Sequence, residues 1–552
     1  MIPSLPEELL ILILEHCALR TDNIFSHPRL VQQKGDPRQC LTTLSNACLA
    51  SKSFHRLAWP ILYRHFSNRK RSDLAKPLEP AQFLQTICTK LDYGLALRSL
   101  SIAEWAPIGA MDPIELFEML QSDATLVDLF QWRAKTFWLG DDQISVMPPG
   151  EEHFEGGLSS VLLRSLEMGL PEAHAVVLLL LCPRLKTLEI VTPSHFETSM
   201  IARLLDKVLS ENYKEMALPE TVHDFEQEES DYAIAQMFGA PWPAPALQKP
   251  NMFQDLVTLA IRGTGRCPSG FGFFKKLISL PSLQNLILTG LRAGSNDAIR
   301  ELATSVPRTR LKTLSIQACQ LLTSEASSII QCCPDLLTLE MTWLDLYDRS
   351  HDESTDMRLQ FGYIVDAIAT HAPKLTSLHL CAGGWPLRHF SSEYPCTVGS
   401  SLQHMKHIKS LTLDHHMIYG PQHVEDLLPD DYCDTQSGTN PRVLGRIVPN
   451  TIEGLSIQPS RLTHIHDGGL EPADDWQAWQ LDDLHRFLQD DSFKRMNLIW
   501  LALGTDTSDK HIDADVVAKY GWEVSMGLGK YCKLENRRRG KSTSVQNAPH
   551  GA

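Results

Sequence analysis

Leu256-Val-Thr-Leu259-Ala-Ile261, Leu283-Gln-Asn-Leu286-Ile-Leu288, Leu311-Lys-Thr-Leu314-Ser-Ile316 and Leu336-Leu-Thr-Leu339-Glu-Met341 repeat one six-residue theme four times within 86 residues. Their starts lie 27, 28 and 25 residues apart. The apolar, x, apolar ending of each copy has period two, the mark of a short half-buried strand, and the first leucine turns inward just before it. A unit this short cannot bury its apolar edge alone. Copies must stack side by side and share one continuous core.

Working outward from this centre, the theme recurs at Leu97-Arg-Ser-Leu100-Ser-Ile102 and at Leu185 with Leu188 and Ile190. On the far side, copies start at Leu375, Ile408, Ile452 and Leu498. Gaps of 88 and 71 residues before Leu256 leave room for degenerate copies. Leu126-Val-Asp-Leu129 is one candidate, and Leu158–Leu163 is another copy or plain helix. The later steps of 39, 33, 44 and 46 residues place insertions in the return path. Helical returns fit Ser199–Ser210, Asp297–Ser305, Ser324–Gln331 and Gly362–His371, with Ser324 suited to an N-cap. Residues 220–250, 345–358 and 420–446 read as exposed loops. Gly521-Trp522-Glu523-Val524-Ser525-Met526 reads as a closing edge strand. The pattern resembles leucine-rich repeats of the loosely spaced kind. That resemblance implies an α/β fold: an irregular solenoid over residues 93–535 with a parallel β-sheet on its concave face, and then a disordered polar tail over 536–552.

Residues 1–66 read differently. Leu5-Pro6-Glu7-Glu8-Leu9-Leu10-Ile11-Leu12-Ile13-Leu14 sets a proline and two acids at a helix start, where each is favoured. The helix that follows is apolar nearly all round, so it wants partners on more than one side. A polar loop over 21–39 leads to a second helical stretch from Leu41 through Ser51-Lys52-Ser53-Phe54, and then to Leu57-Ala58-Trp59-Pro60-Ile61-Leu62-Tyr63-Arg64-His65-Phe66. The block resembles an F-box of the fungal type through Leu5-Pro6-x-Glu8-Leu9, Ile13-Leu14, Leu44, Leu49, Ser51-Lys52-x-Phe54 and Leu57-Ala58-x-Pro60-x-Leu62-Tyr63. It departs from the family in a longer link between helices, which a surface loop accommodates at small cost. It departs also at Ala50, where a valine is more usual; a buried alanine there would forgo ~1–2 kcal/mol of contact. The resemblance implies an all-α three-helix module that docks on the Skp-type adaptor of a cullin-based SCF ubiquitin ligase. Leu5, Pro6, Leu9, Leu10, Ile13, Leu14, Leu49, Phe54 and Leu57 would then carry the docking or its supporting core. Residues 67–92 read as a linker with a helix, and Arg69-Lys70-Arg71 as its solvated part.

Composition bounds the function. A chain of 552 residues with 43% hydrophobic and 21% charged residues is ordered and either multi-domain or an elongated array. Its net charge of −15 opposes broad nucleic-acid binding, which needs a basic footprint. The start lacks a basic secretory n-region, and apolar runs such as 175–182 are too short for a bilayer. Thirteen scattered cysteines without a Cys-x-x-Cys pair suit reduced core thiols in cytoplasm or nucleus.

Catalytic patterns are absent or incomplete. Gly265-Arg-Cys-Pro-Ser-Gly270 lacks the Lys-Ser/Thr of a phosphate loop, and no Gly-x-Ser-x-Gly or His-Glu-x-x-His occurs. His404, His407, His415 and His416, like His464 and His466, stand without the cysteine or carboxylate partners of a closed zinc site. No metal or cofactor is expected. What the repeats do offer is a surface. Between inward leucines, Glu189, Glu340, His379 and Thr412 point outward. A hydroxyl series (Ser99, Thr187, Thr258, Thr313, Thr338, Ser377, Ser410) recurs beside them and fits β-propensity on a crowded face. Strand exits add Glu104, Trp105, Arg262, Gln317, Trp343, Asp414, His415 and Gln458, including the Trp and Arg that protein hot spots favour, with burial against neighbouring turns the equal alternative for Trp105 and Trp343. The two resemblances together imply a non-catalytic substrate receptor of an SCF ligase, reaching cullin and RING subunits through the adaptor. The alternative is a scaffold of the same build that binds a partner without ubiquitination. An enzyme using the histidine-rich turns is the third and weakest reading.

Overall fold

A computed structural model describes residues 6–22, 37–67, 79–102, 162, 164–166, 171–192, 201, 204, 253–263, 274, 277–290, 309–319, 321–343, 360–382, 398, 401–419, 443–458, 463–466, 469–472, 478–490, 496, 498–502, 518–519, 522–526 and 531–536. The chain divides into two compact units, 1–189 with 197–256, and 190–196 with 257–552. Both are α/β, with the N-terminal helices in the first and a long parallel sheet in the second.

The first unit begins with α1 (Glu7–Asp22), α2 (Pro37–Ala50) and α3 (Lys52–Leu62). Helices α2 and α3 are separated at Ser51, whose extended backbone breaks the run and whose hydroxyl accepts from the Phe54 N–H at 3.2 Å. Leu14, Leu44, Leu57, Ala58 and Ile61 form the buried core of this bundle, with Leu10, Ile11, Ala47, Cys48 and Leu62 packed against it. Ala50 is exposed, so the shorter side chain forgoes no buried contact. Arg56 pairs with Glu7, and Arg64 with Glu15 at 3.0 Å, tying α3 and its exit to α1.

The helical part of the 67–92 stretch is packed, while Arg69-Lys70-Arg71 lies outside the described residues. In α4 (Glu79–Thr89), Leu84, Ile87 and Cys88 are buried. Next, α5 (Leu91–Ala96) brings Tyr93 against Tyr63 and Trp59, with ring centroids 4.2 and 4.8 Å apart. Phe83 of α4 stacks on Phe66 at 4.0 Å. Phe66 lies in a three-residue strand, β1 (His65–Ser67), parallel to β2 (Ser99–Ile102), so strand pairing starts inside the block that resembles an F-box. Its shortness hides it from any periodicity. Helix α6 (Pro171–Leu181), buried from Ala173 onward, precedes β3 (Thr187–Thr192), at whose start the Lys186 and Thr187 N–H groups donate to the Arg98 carbonyl.

In the second unit the repeats become strands β4 (Thr258–Gly263), β5 (Asn285–Thr289), β6 (Thr313–Cys319), β7 (Thr338–Trp343), β8 (Ser377–Cys381), β9 (Ser410–Asp414) and β10 (Gly454–Gln458). Each pairs in parallel with the next. Between them run α7 (Thr323–Gln331), α8 (Phe361–His371), α9 (His415–Tyr419) and α10 (Val443–Ile447). Register aligns the fourth position of every copy into one row, Leu259, Leu286, Leu314, Leu339, Leu378, Leu411 and Leu455, all at most 1% exposed. The carbonyl at the second position accepts the next two-residue N–H pair in each step, as Lys312 does from Leu337 and Thr338 at 2.8 and 2.9 Å. That recurring pair satisfies the strand starts and fixes register.

After an antiparallel pair of strands, β11 (Thr463–His466) and β12 (Gly469–Pro472), and α11 (Ala478–Gln489), the parallel sheet continues in β13 (Leu498–Ala502). Here the expected copy slips by two. Ile499, not Leu501, pairs with Leu455, and Met496 takes the buried first position expected of Leu498. The run Leu498-Ile-Trp-Leu501-Ala-Leu503 fits either alignment, and the deciding residue is a methionine. Two antiparallel strands close the sheet: β14 (Trp522–Met526) at the edge, as expected, and β15 (Tyr531–Asn536), which pairs with both β13 and β14.

The return helices α7 and α8 fall where the spacing sets them, and their buried residues are Glu325, Ala326, Ile329 and Ile330, and Phe361, Ile364, Val365 and Ile368. Leu322, not Ser324, caps α7; its N–H donates to the Glu325 carboxylate at 2.8 Å. Helix α10 occupies part of the expected 420–446 loop, with Leu444 and Ile447 buried. The buried carboxylate of Asp483 on α11 accepts from the N–H groups of Val443 and Leu444 and from the Tyr419 hydroxyl at 3.3 Å. Burial raises the Asp483 pKa, against the lowering by these hydrogen bonds. The 126–129 candidate repeat, the 220–250 and 345–358 loops, the 297–305 return, the 199–210 return apart from the helical Ile201 and Leu204, and the 536–552 tail apart from Asn536 lie outside the described residues. Leu162, from the 158–163 stretch, is helical.

Candidate functional site

Two surfaces stand out, one in each unit. The first lies on α1 and α2. Helix α1 is apolar on both sides: Leu10, Ile11 and Leu14 turn toward the bundle core, while Leu9, Leu12 and Ile13 are 45%, 59% and 53% exposed. Spacing explains the split, since 10 and 14 share one face and 9, 12 and 13 another. On α2, Leu49 is 82% exposed. Of the residues expected to dock or support an adaptor, Pro6, Leu9, Ile13 and Leu49 are exposed, Leu10 and Phe54 are half-buried, and Leu14 and Leu57 are core. Leu5 is outside the described residues. Leu12, which is not among the residues that match an F-box, joins this face through its i, i+3 relation to Leu9.

The second surface is the sheet face opposite the leucine row. Along β5 to β9 one row reads Asn285, Thr313, Thr338, Ser377, Ser410 and the next Ile287, Ser315, Glu340, His379, Thr412. Glu340 is the single acid in these two rows. Its carboxylate accepts from the Ser315 hydroxyl at 2.7 Å and lies 3.5 Å from His379 Nδ1, with side chains 14% and 19% exposed. Gln317 donates to Ser315 at 3.2 Å. A β-bulge follows Ile316, and Ala318 there has φ +50°, left-handed backbone that an alanine adopts under strain. The Ala318 N–H donates to Thr342 Oγ1 at 2.9 Å, which holds the bulge in place. Glutamate stands between serine and histidine, so the imidazole does not face the hydroxyl as a base in a nucleophilic triad must.

Several expected surface residues belong instead to the interior. Trp343 is 1% exposed, stacks edge-on to Phe361 at 5.3 Å and donates its indole N–H to the Leu321 carbonyl at 3.1 Å. Strand β7 runs past its hexamer, so 343 keeps the inward parity of 339 and 341. Asp414 is fully buried and accepts the Ala382 N–H at 2.6 Å, pinning the exit of β8. His415 is buried at the start of α9 with its ring 5.0 Å from Tyr419. Glu189 is buried as well and accepts from Ser101 at 2.9 Å. Arg262, Gln317 and Gln458 are half-buried, the last donating to Ser456 at 2.8 Å. Glu104 and Trp105 lie outside the described residues.

Ser101–Glu189 in the first unit and Ser315–Glu340 in the second are the same device. In both, a serine at the fifth hexamer position donates to a glutamate at the fifth position of the following described strand. The pairing was legible once the hexamers were aligned.

Among the described residues no group of three or more His, Cys, Asp or Glu is placed to hold a metal ion. Cys88, Cys182, Cys319, Cys332 and Cys333 are buried thiols; burial pushes Cys332 up to about 11 and Cys333 up to about 12. They pack as small apolar residues. No described helix is long and apolar enough to cross a membrane. No protein-family model matches the chain, and no curated protein matches it.

Proposed function

We propose that the chain is the substrate-recognition subunit of an SCF-type cullin ubiquitin ligase: an F-box protein whose leucine-rich-repeat solenoid holds the target. One observation carries the reading. The N-terminal bundle has its own buried core and still leaves Leu9, Leu12, Ile13 and Leu49 in water. Large apolar side chains kept exposed on helices are the anchors of protein interfaces. The partner that fits is the Skp-type adaptor, and through it the cullin and RING subunits. The polar face of the parallel sheet, as the concave side of the solenoid, takes the target protein. In this reading the chain performs no bond chemistry and works in the cytoplasm or nucleus. It acts by proximity, since holding a target beside a charged conjugating enzyme makes transfer nearly intramolecular.

The test is capture of purified Skp-type adaptor by the full chain and by its Leu9→Glu, Ile13→Glu double variant. Both side chains are exposed, so the fold is expected to persist, with far-UV circular dichroism as the check. Capture is expected to fall by about tenfold or more. Equal capture by the two proteins removes the reading.

A further inference from the structure

We propose that the Ser315–Glu340–His379 face is the docking point for a lysine or arginine side chain on an extended basic segment of the target. This rests on the reading above for the idea that the sheet face binds a protein at all, and adds the chemistry of what it binds. Three observations carry it. Glu340 is the lone carboxylate in two described rows otherwise made of hydroxyls, an amide, an imidazole and an isoleucine, so within these rows a bound cation meets one acid. The carboxylate is oriented before any partner arrives: Gln317 donates to Ser315, and Ser315 donates to Glu340, at 3.2 and 2.7 Å. At 14% side-chain exposure it is largely withdrawn from water, where a charge–charge contact is worth more than on an open surface. The net charge of −15 favours approach of a basic segment over an acidic one.

Neighbouring strands stand ~4.8 Å apart, and an extended peptide rises ~3.3 Å per residue. A segment crossing β6 to β9 therefore meets Ser315, Glu340, His379 and Thr412 within a few residues, with the hydroxyls flanking the charge on both sides. Attraction between acidic protein and basic peptide is not enough to establish the site, so the variants must separate local from general charge. Glu453 serves for this comparison. It is an exposed carboxylate of the same unit, paired with Lys409 at 3.2 Å.

The experiment measures fluorescence anisotropy at pH 7.5 and moderate salt with the full chain and three labelled 15-residue peptides. These share a Gly-Ser frame and differ only in carrying Arg/Lys, Gln or Glu at alternate positions. The basic peptide is expected to bind and the other two not. Glu340→Gln, which keeps size and shape, is expected to weaken binding by about tenfold. Ser315→Ala is expected to weaken it less, and Glu453→Gln to leave it unchanged. The proposal is overturned if the basic peptide does not bind, if all three bind alike, or if Glu453→Gln weakens binding as much as Glu340→Gln. Adaptor capture is measured on the same preparations: peptide failure with normal capture removes this inference alone, whereas lost capture bears on the ligase reading.

Discussion

His174 shows what burial does to a single titratable side chain. It sits on α6 with Ala173 and residues 175–181 buried around it, and desolvation lowers its pKa to about 4. The depressed value means that the folded chain refuses a proton which the unfolded chain accepts near 6.5. As pH falls from about 6.5 toward 4, the unfolded state gains protons first, so stability falls with pH over that window. Between pH 7 and 5 the loss from this one group is roughly 2 kcal/mol. Urea unfolding at both pH values checks it: a His174→Leu variant is expected to lack that part of the acid sensitivity, and an unchanged slope would refute the assignment. Glu340 shows a different fate for a half-buried polar group. Its carboxylate accepts from the Ser315 hydroxyl and lies beside the His379 ring, so its neighbours fix its position on the polar face of the sheet.

Elements were legible in proportion to how much pattern they carry. Strands β4 to β10 announced themselves because each has three apolar positions at fixed spacing, and register then follows from the leucine row. The β13 copy slips because Ile499, Leu501 and Leu503 share one parity and so allow two registers two residues apart, and only the packing of Met496 chooses between them. Strand β1 is too short for any period, and Tyr531-Cys-Lys-Leu-Glu-Asn has too weak an alternation to predict β15. For the candidate site, parity sets Glu340 and His379 on the face opposite the leucine row, whereas Asp414 and His415, read as surface at a strand exit, are buried. Trp343 and Asp414 are buried because their strands continue beyond the hexamer or turn back against a neighbour.

One contact between elements was invisible to any pattern: α5 meets the end of α6 so closely that a Cβ at Gly94 would lie 2.5 Å from the Leu181 carbonyl oxygen. Backbone cannot yield as a flexible side chain does. Gly94→Ala is therefore expected to cost about 1–3 kcal/mol. A thermal midpoint equal to wild type would mean that the helices separate freely.

At the scale of the whole molecule, the two compact units each carry their own core and, in the proposed function, their own partner. Repeat arrays hold together by neighbour-to-neighbour contacts, so damage in one place need not be felt everywhere. Leu44 is 1% exposed in the core beneath the apolar surface of α1 and α2, and Leu378 is 1% exposed in the middle of the leucine row. Truncating either to alanine removes three buried heavy atoms and leaves a cavity, at about 2–5 kcal/mol each. The consequences should part. Leu44→Ala loosens the support of Leu9, Leu12 and Ile13 and is expected to weaken adaptor capture while basic-peptide binding stays near wild type. Leu378→Ala disturbs the strand that carries His379, beside Glu340, and is expected to weaken peptide binding while adaptor capture persists. Capture and anisotropy on the same two proteins decide it. If each substitution impairs both activities equally, the units unfold as one and the division of labour between bundle and sheet is lost.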